Sequence, residues 1–135
     1  MGASDSREQA ILNAIFGSGT PATWYVGLSK TTPNDDGTNF SEHSGGSYAR
    51  VASTNNTTNW PAATTVSGRT VKKNGTKITF PNPSNTWGTI VAIGFFTASS
   101  GGNPEITQLL DDAITVASGN TPVELDINEV EIECE

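Results

Sequence analysis

Residues 89–96 read TIVAIGFF and are apolar nearly throughout. The run reads as a central strand buried on both faces. Such a strand needs a neighbour along each edge and cover on each side, so it commits the chain to a sheet. The composition fits. Hydrophobic residues are 34% of the chain, against ~45–50% in an average soluble domain. Thr 19, Gly 14, Ser 13 and Asn 12 together make 58 of the 135 residues. These are weak helix formers that suit short strands joined by many turns. A chain of this length is expected to form one domain around a single core.

Residues 6–16 are the one convincing helix. Ile11, Leu12, Ile15 and Phe16 share a face at helical spacing. Ser6 with Gln9, or Asp5 with Glu8, predicts a capping box, and Gly17 is placed to end the helix. A helix this short is marginal alone in water, so it must dock on its own domain or on a neighbour. From Thr23 the period becomes two: Trp24, Val26 and Leu28 alternate with Tyr25, Gly27 and Ser29. Residues 30–47 form a long polar loop, of a length that is usually functional or disordered. Residues 48–53 suit a second strand, and 54–68 are irregular around a Trp60-Pro61 anchor. Asn74-Gly75 predicts a type I′ hairpin over 69–80. EITQLL and DAITVA are two further strand candidates. At the C-terminus Val123, Leu125 and Ile127 share one parity, and Val130, Ile132 and Cys134 share the other, so a bulge or bend is expected at Asn128-Glu129. The expected organisation is a helical arm over 1–22 and a β-domain over 23–135, mainly β, an antiparallel β-sandwich of jelly-roll type.

The net charge is −7, which makes free nucleic acid an unfavourable partner. The charge is segregated. Residues 1–42 carry net −3, residues 43–104 carry +5 with no acid, and residues 105–135 carry −9 with no base. No run approaches a membrane span, and MGASDSREQ lacks the basic start and apolar core of a signal peptide. Met1-Gly2 with Ser6 fits a myristoylation pattern, but nothing else in the sequence supports membrane attachment.

Catalytic signals are weak. His43 is the only histidine and sits in a glycine-rich loop without a surrounding motif, so it reads as an exposed loop residue. One His and one Cys exclude a structural zinc site. Asp35-Asp36 and Asp111-Asp112 are paired carboxylates outside any calcium-loop spacing, and ordinary turns also favour them. Trp24, Tyr25, Trp60 and Trp87 raise a sugar-stacking alternative, although core packing is the commoner use of tryptophan in a small β-domain. Ser44-Gly45-Gly46-Ser47 lacks the ending of a phosphate loop. No enzyme activity and no cofactor are expected.

Seven segments in order carry a family resemblance. They are EQAILNAIFG, TWYVGLS, TTPNDDGT, E-x-SGGSYAR, ITFPNPSNTWGTI, GFF-x-ASSGGN and VASGNTPVELDI. Together they resemble a family of small tailed-phage virion proteins, often labelled tail-fibre or minor tail proteins. Similar small β-domains serve as capsid cement or decoration proteins. The resemblance runs from about Ser6 to Glu133, and SGGSYAR (44–50) and FPNPSNTWG (80–88) are its most specific blocks. NEVEIECE departs from the usual ending, which is milder in charge. The resemblance implies a mainly β virion component without catalytic residues, made in the host cytoplasm and not secreted. The leading expectation is a decoration protein on the capsid exterior, a homotrimer bound to the major capsid protein. The alternative is a tail-fibre or tail-tip component that contacts a host-surface glycan. Ile11, Leu12, Ile15 and Phe16 are expected to bury against another chain or the domain's own sheet. Arg50, Arg69, Lys72 and Lys73 are expected to pair with acids across an interface.

Overall fold

The computed structural model describes residues 3–119 and 121–134. Among them are one helix, α1 (Asp5–Ile15), and nine strands: β1 (Thr23–Ser29), β2 (Val51–Thr54), β3 (Thr64–Val66), β4 (Arg69–Lys73), β5 (Ile78–Thr79), β6 (Gly88–Phe96), β7 (Ile106–Val116), β8 (Glu124–Leu125) and β9 (Glu131–Cys134). The sheets have the orders β2-β1-β6-β7, β3-β4-β9 and β5-β8. The chain is mainly β, and the registers of β1 with β6, β6 with β7, β3 with β4 and β4 with β9 are all antiparallel. It divides into two compact units. One comprises Met1–Thr23, Ser53–Ile78 and Leu125–Glu135; the other comprises Trp24–Ala52 and Thr79–Glu124.

In the first unit α1 docks on the β3-β4-β9 sheet. Leu12 and Phe16 are buried, and Phe16 packs on the buried Trp60 with ring centroids 4.9 Å apart. The expected capping box does not form. Ser4 is the N-cap and makes no side-chain cap bond. Glu8 instead accepts from Thr70 Oγ1 at 2.8 Å, and Gln9 donates to Thr65 Oγ1 at 2.9 Å. Bonds to the sheet have taken the side chains that would have closed the helix end. Gly17, with φ +91, ends the helix as expected. The buried Asn55 seals this end: it accepts from Gly17 N and donates to the carbonyls of Ile15 and Pro21.

The hairpin of this unit is not where the Asn74-Gly75 dipeptide predicts it. Ser67 and Gly68 have φ +53 and +78 between the paired Val66 and Arg69, which is the two-residue positive-φ turn that suits twisted strands. The segment read as irregular therefore contains β3. Asn74 is buried and stays outside the left-handed region. Its side chain accepts from Val130 N at 3.0 Å and donates to the carbonyls of Thr76 and Asp126. The side chain thus mimics a strand neighbour, and β4 pairs with β9 while β5 pairs with β8. The expected bend near Asn128 is a turn, with Asn128 at φ +68. Val130 and Ile132 are buried as the parity requires, but Ile127 lies in that turn and is 57% exposed.

In the second unit β6 is central, flanked by β1 and β7, and buried from Ala92 to Phe96. Trp24, Val26, Leu28, Ile93 and Phe95 fill one face of it. The two strands expected in 105–117 are one, β7. The register shift between Ile90 and Ala92 sets residues 110–113 opposite Val91 alone, so the strand bulges rather than ends.

Asn74→Ala should lower the unfolding free energy by about 2–3 kcal/mol, because it orphans buried backbone groups. Asn74→Gly should do the same. A turn asparagine would accept glycine at little cost, so urea denaturation of the two variants checks the assignment.

Candidate interaction surface

Gly27 and Gly94 face each other across β1 and β6. A Cβ on Gly94 would lie 2.6 Å from Phe40, and one on Gly27 would lie 2.7 Å from Glu42 Oε1. The glycine pair leaves a bare strip of sheet, and the 30–47 loop lies down on it. The loop is closed at its base, where Lys30 N donates to Ser41 O at 2.9 Å and Ser41 N to Ser29 Oγ at 3.0 Å. Phe40 meets Phe96 edge-on, with centroids 5.3 Å apart. The long polar loop is therefore an ordered, packed excursion.

Arg50 fastens it. Its side chain is 4% exposed and makes a bidentate pair with Glu42, Nε to Oε1 at 2.9 Å and Nη2 to Oε2 at 2.7 Å. The guanidinium lies 3.3 Å from the Phe96 ring centroid, a cation–π contact. Nη1 donates to the carbonyls of Ala98 and Gly101, so the same cation holds the β6–β7 loop. Tyr48 donates to Glu42 Oε1 at 2.7 Å and accepts from Leu28 N at 2.9 Å. Burial holds its phenol protonated far into the alkaline range, and the neighbouring Glu42 adds to that.

The two blocks that carry the family resemblance meet here. Gly46 O accepts from Trp87 Nε1 at 2.8 Å and from Ser84 N at 3.0 Å. Ser47 Oγ bonds Ser84 Oγ at 3.1 Å, and Tyr48 packs edge-on to Trp87. Gly46 has φ +61, and a Cβ there would fall inside the Asn85 side chain. His43 is not the free loop residue expected. It is half-buried, stacks on Trp87 and bonds Asn85 Oδ1 through Nε2 at 2.9 Å, with Lys30 Nζ 3.5 Å from Nδ1.

What this scaffold presents is polar. Asp35, Asp36, Thr38 and Asn39 are exposed, as are residues 97–103. The two loops touch, because Gly37 lies close against Pro104 O. Asp36 accepts from Thr38 Oγ1 at 2.6 Å and Thr38 N at 3.0 Å, which holds its carboxyl below the usual range. The pair Asp35-Asp36 thus serves a turn. Trp24, Trp60 and Trp87 are all buried, so none of them offers a face for sugar stacking. Asp111 and Asp112 sit exposed at the β7 bulge. Among the described residues no group of three or more His, Cys, Asp or Glu is placed to hold a metal ion.

The remaining predicted contact residues lie in the first unit. Leu12 and Phe16 are buried in its core, Ile15 is half-buried, and Ile11 is 39% exposed. Arg69 pairs with Glu131 and Glu133, and Lys73 with Glu131. Lys77 pairs with Asp126. The acids in question belong to the chain's own C-terminal segment. Lys72 is buried and donates to Asn13. Cys134 is half-buried and free. Met1-Gly2 lies outside the described residues. Of the Glu42–Arg50 pair, Arg50 is an expected contact residue and Glu42 is not. The signal for Glu42 is that it is the one acid beside SGGSYAR.

Residues 2–133 match the family model described as Podophage GP4 fiber I protein gp80. No curated protein matches the chain.

Four variants probe the surface. Arg50→Ala should cost about 1.5–3 kcal/mol, because it takes the charged partner from the half-buried Glu42 carboxylate. Arg50→Lys should recover only part of this, since a point charge cannot replace the fork; urea melts and protease nicking at 31–40 and 98–103 check both. Gly94→Ala should destabilise by about 1–3 kcal/mol through overpacking against Phe40, where alanine in an open strand would stabilise. The raised Tyr48 pKa gives stability that is complete below the unfolded-state value and is lost as the pH climbs above ~10. The alkaline limb of a pH–stability curve should therefore be shallower for Tyr48→Phe than for the native chain.

Proposed function

The chain belongs to the Podophage GP4 fiber I protein gp80 family, and we propose that it is a non-catalytic fibre subunit whose contact surface is the pair of loops fastened by Arg50. As a family member it is a phage virion structural protein. The observation that carries the finer reading is the presentation of exposed Asp, Asn, Ser and Thr groups over 34–39 and 97–103 on loops fastened by the partly buried Glu42–Arg50 pair. A loop held in one geometry gives up little conformational entropy when it meets a partner. Many weak contacts from many copies then add by avidity. Contact with a host-surface glycan belongs to this reading. It would run through polar groups and not through the tryptophans.

A second reading is a capsid cement or decoration protein, a homotrimer seated on the major capsid protein. The observation in its favour is β7. It ends the sheet order, is 11 residues long, and leaves Leu109 52% exposed. A sheet edge of that kind is a place for a neighbouring copy to add.

Gold-labelled antibody on intact virions separates the two. Label confined to the tail supports the fibre, and label spread over the head supports decoration. Arg69, Lys73 and Lys77 have acid partners within the chain, so washing particles in high salt should leave the protein bound. Release by salt would instead point to charge pairing between subunits.

A further inference from the structure

We propose that Lys72 and Asn13 form an amide cross-link between β4 and α1, made by the chain itself. Lys72 Nζ lies 2.8 Å from Asn13 Oδ1, and Lys72 is 2% exposed. Its hydrogen-bond partner is a carboxamide rather than a carboxylate. Burial lowers the Lys72 pKa and so enlarges the share of free amine, which is the nucleophilic form. The carbonyl it faces is polarised from a second side, because Ala63 N also donates to Asn13 Oδ1 at 2.8 Å. That backbone donor stays in place as charge develops on the oxygen. Helix and strand hold the two groups together, which converts a slow bimolecular aminolysis into an intramolecular one.

The step balances without an oxidant or a cofactor. Nζ attacks Asn13 Cγ and a C–N bond forms. The tetrahedral oxygen is held by Ala63 N–H. The Cγ–Nδ2 bond then breaks, a proton lost from Nζ passes to Nδ2, and ammonia leaves. Glu8 accepts from Thr70, two residues before Lys72 on the same face of β4. Asn13 is exposed at its outer side, which gives the ammonia a way out. The product ties the only helix among the described residues covalently to the sheet it packs on. The inference holds for a fibre and for a capsid position alike.

The test is mass spectrometry of the purified full chain, fresh and after prolonged incubation at neutral and mildly alkaline pH. A species lighter than the sequence mass by one ammonia should appear and grow with time. Its tryptic map should join the peptide 8–30, which holds Asn13, to a peptide within 70–73, which holds Lys72. The joined peptide should vanish in Lys72→Arg. Succinimide formation at Asn74-Gly75 also expels ammonia, but it leaves the loss within 74–77. An unchanged mass after incubation, or a loss confined to 74–77, overturns the proposal. The native chain carries the decisive reading, so a variant that folds poorly does not blur it.

Discussion

One guanidinium decides how the second unit is built. The Arg50 side chain is almost wholly covered, and its charge is met by the Glu42 carboxylate, the Phe96 ring and two loop carbonyls. Remove any of these and a buried cation loses compensation, which is costly in a low-dielectric setting. The strip between Gly27 and Gly94 is what lets Glu42 reach that position at all. Tyr48 then joins the same carboxylate to the Leu28 amide of β1. Two loops that would otherwise wander are therefore fixed by a single polar node set against a sheet.

The layout of charge takes on a different meaning once the pairs are seen. A basic middle and an acidic end suggest contacts between molecules. In the folded chain they are largely partners of each other: β4 brings Arg69 and Lys73 beside Glu131 and Glu133 on β9. These pairs are partly exposed and each is worth little, ~0–1 kcal/mol. Their value lies in register, since a one-residue slip would set a charge on the helix-facing side of the sheet. The second unit keeps the more uneven balance, with carboxylates over the loops and β7 and only Lys30 and Arg50 as bases.

Much of the fold was legible. The apolar run 89–96 is the central strand, the alternation at 23–29 is its neighbour, and the helix is placed to within a residue. These signals are strong because burial repeats at the period of the backbone. What failed were local rules overridden by distant partners. Asn74-Gly75 has the chemistry of a turn, yet Asn74 serves Val130 and Asp126, more than fifty residues away. Glu8 has the spacing of a capping residue, yet it serves Thr70. At the loop surface, Arg50 was visible as a charge. Its partner was harder to see, because the loop also carries Asp35 and Asp36 and only its place beside SGGSYAR sets Glu42 apart.

The division of the chain has a temporal side. The first unit gathers its N-terminal helix, a middle segment and the strand β9, while the segments of the second alternate with these along the sequence. β9 completes the sheet on which α1 rests, and among the described strands it is the last in chain order. No early stretch of the growing chain holds all the parts of that unit, so its folding waits until residues 131–134 have been made. A chain cut short before residue 131 would lack one edge of the sheet, and with it the acids that answer Arg69 and Lys73. Assembly from such chains is thereby discouraged at the level of the monomer, before any partner is met.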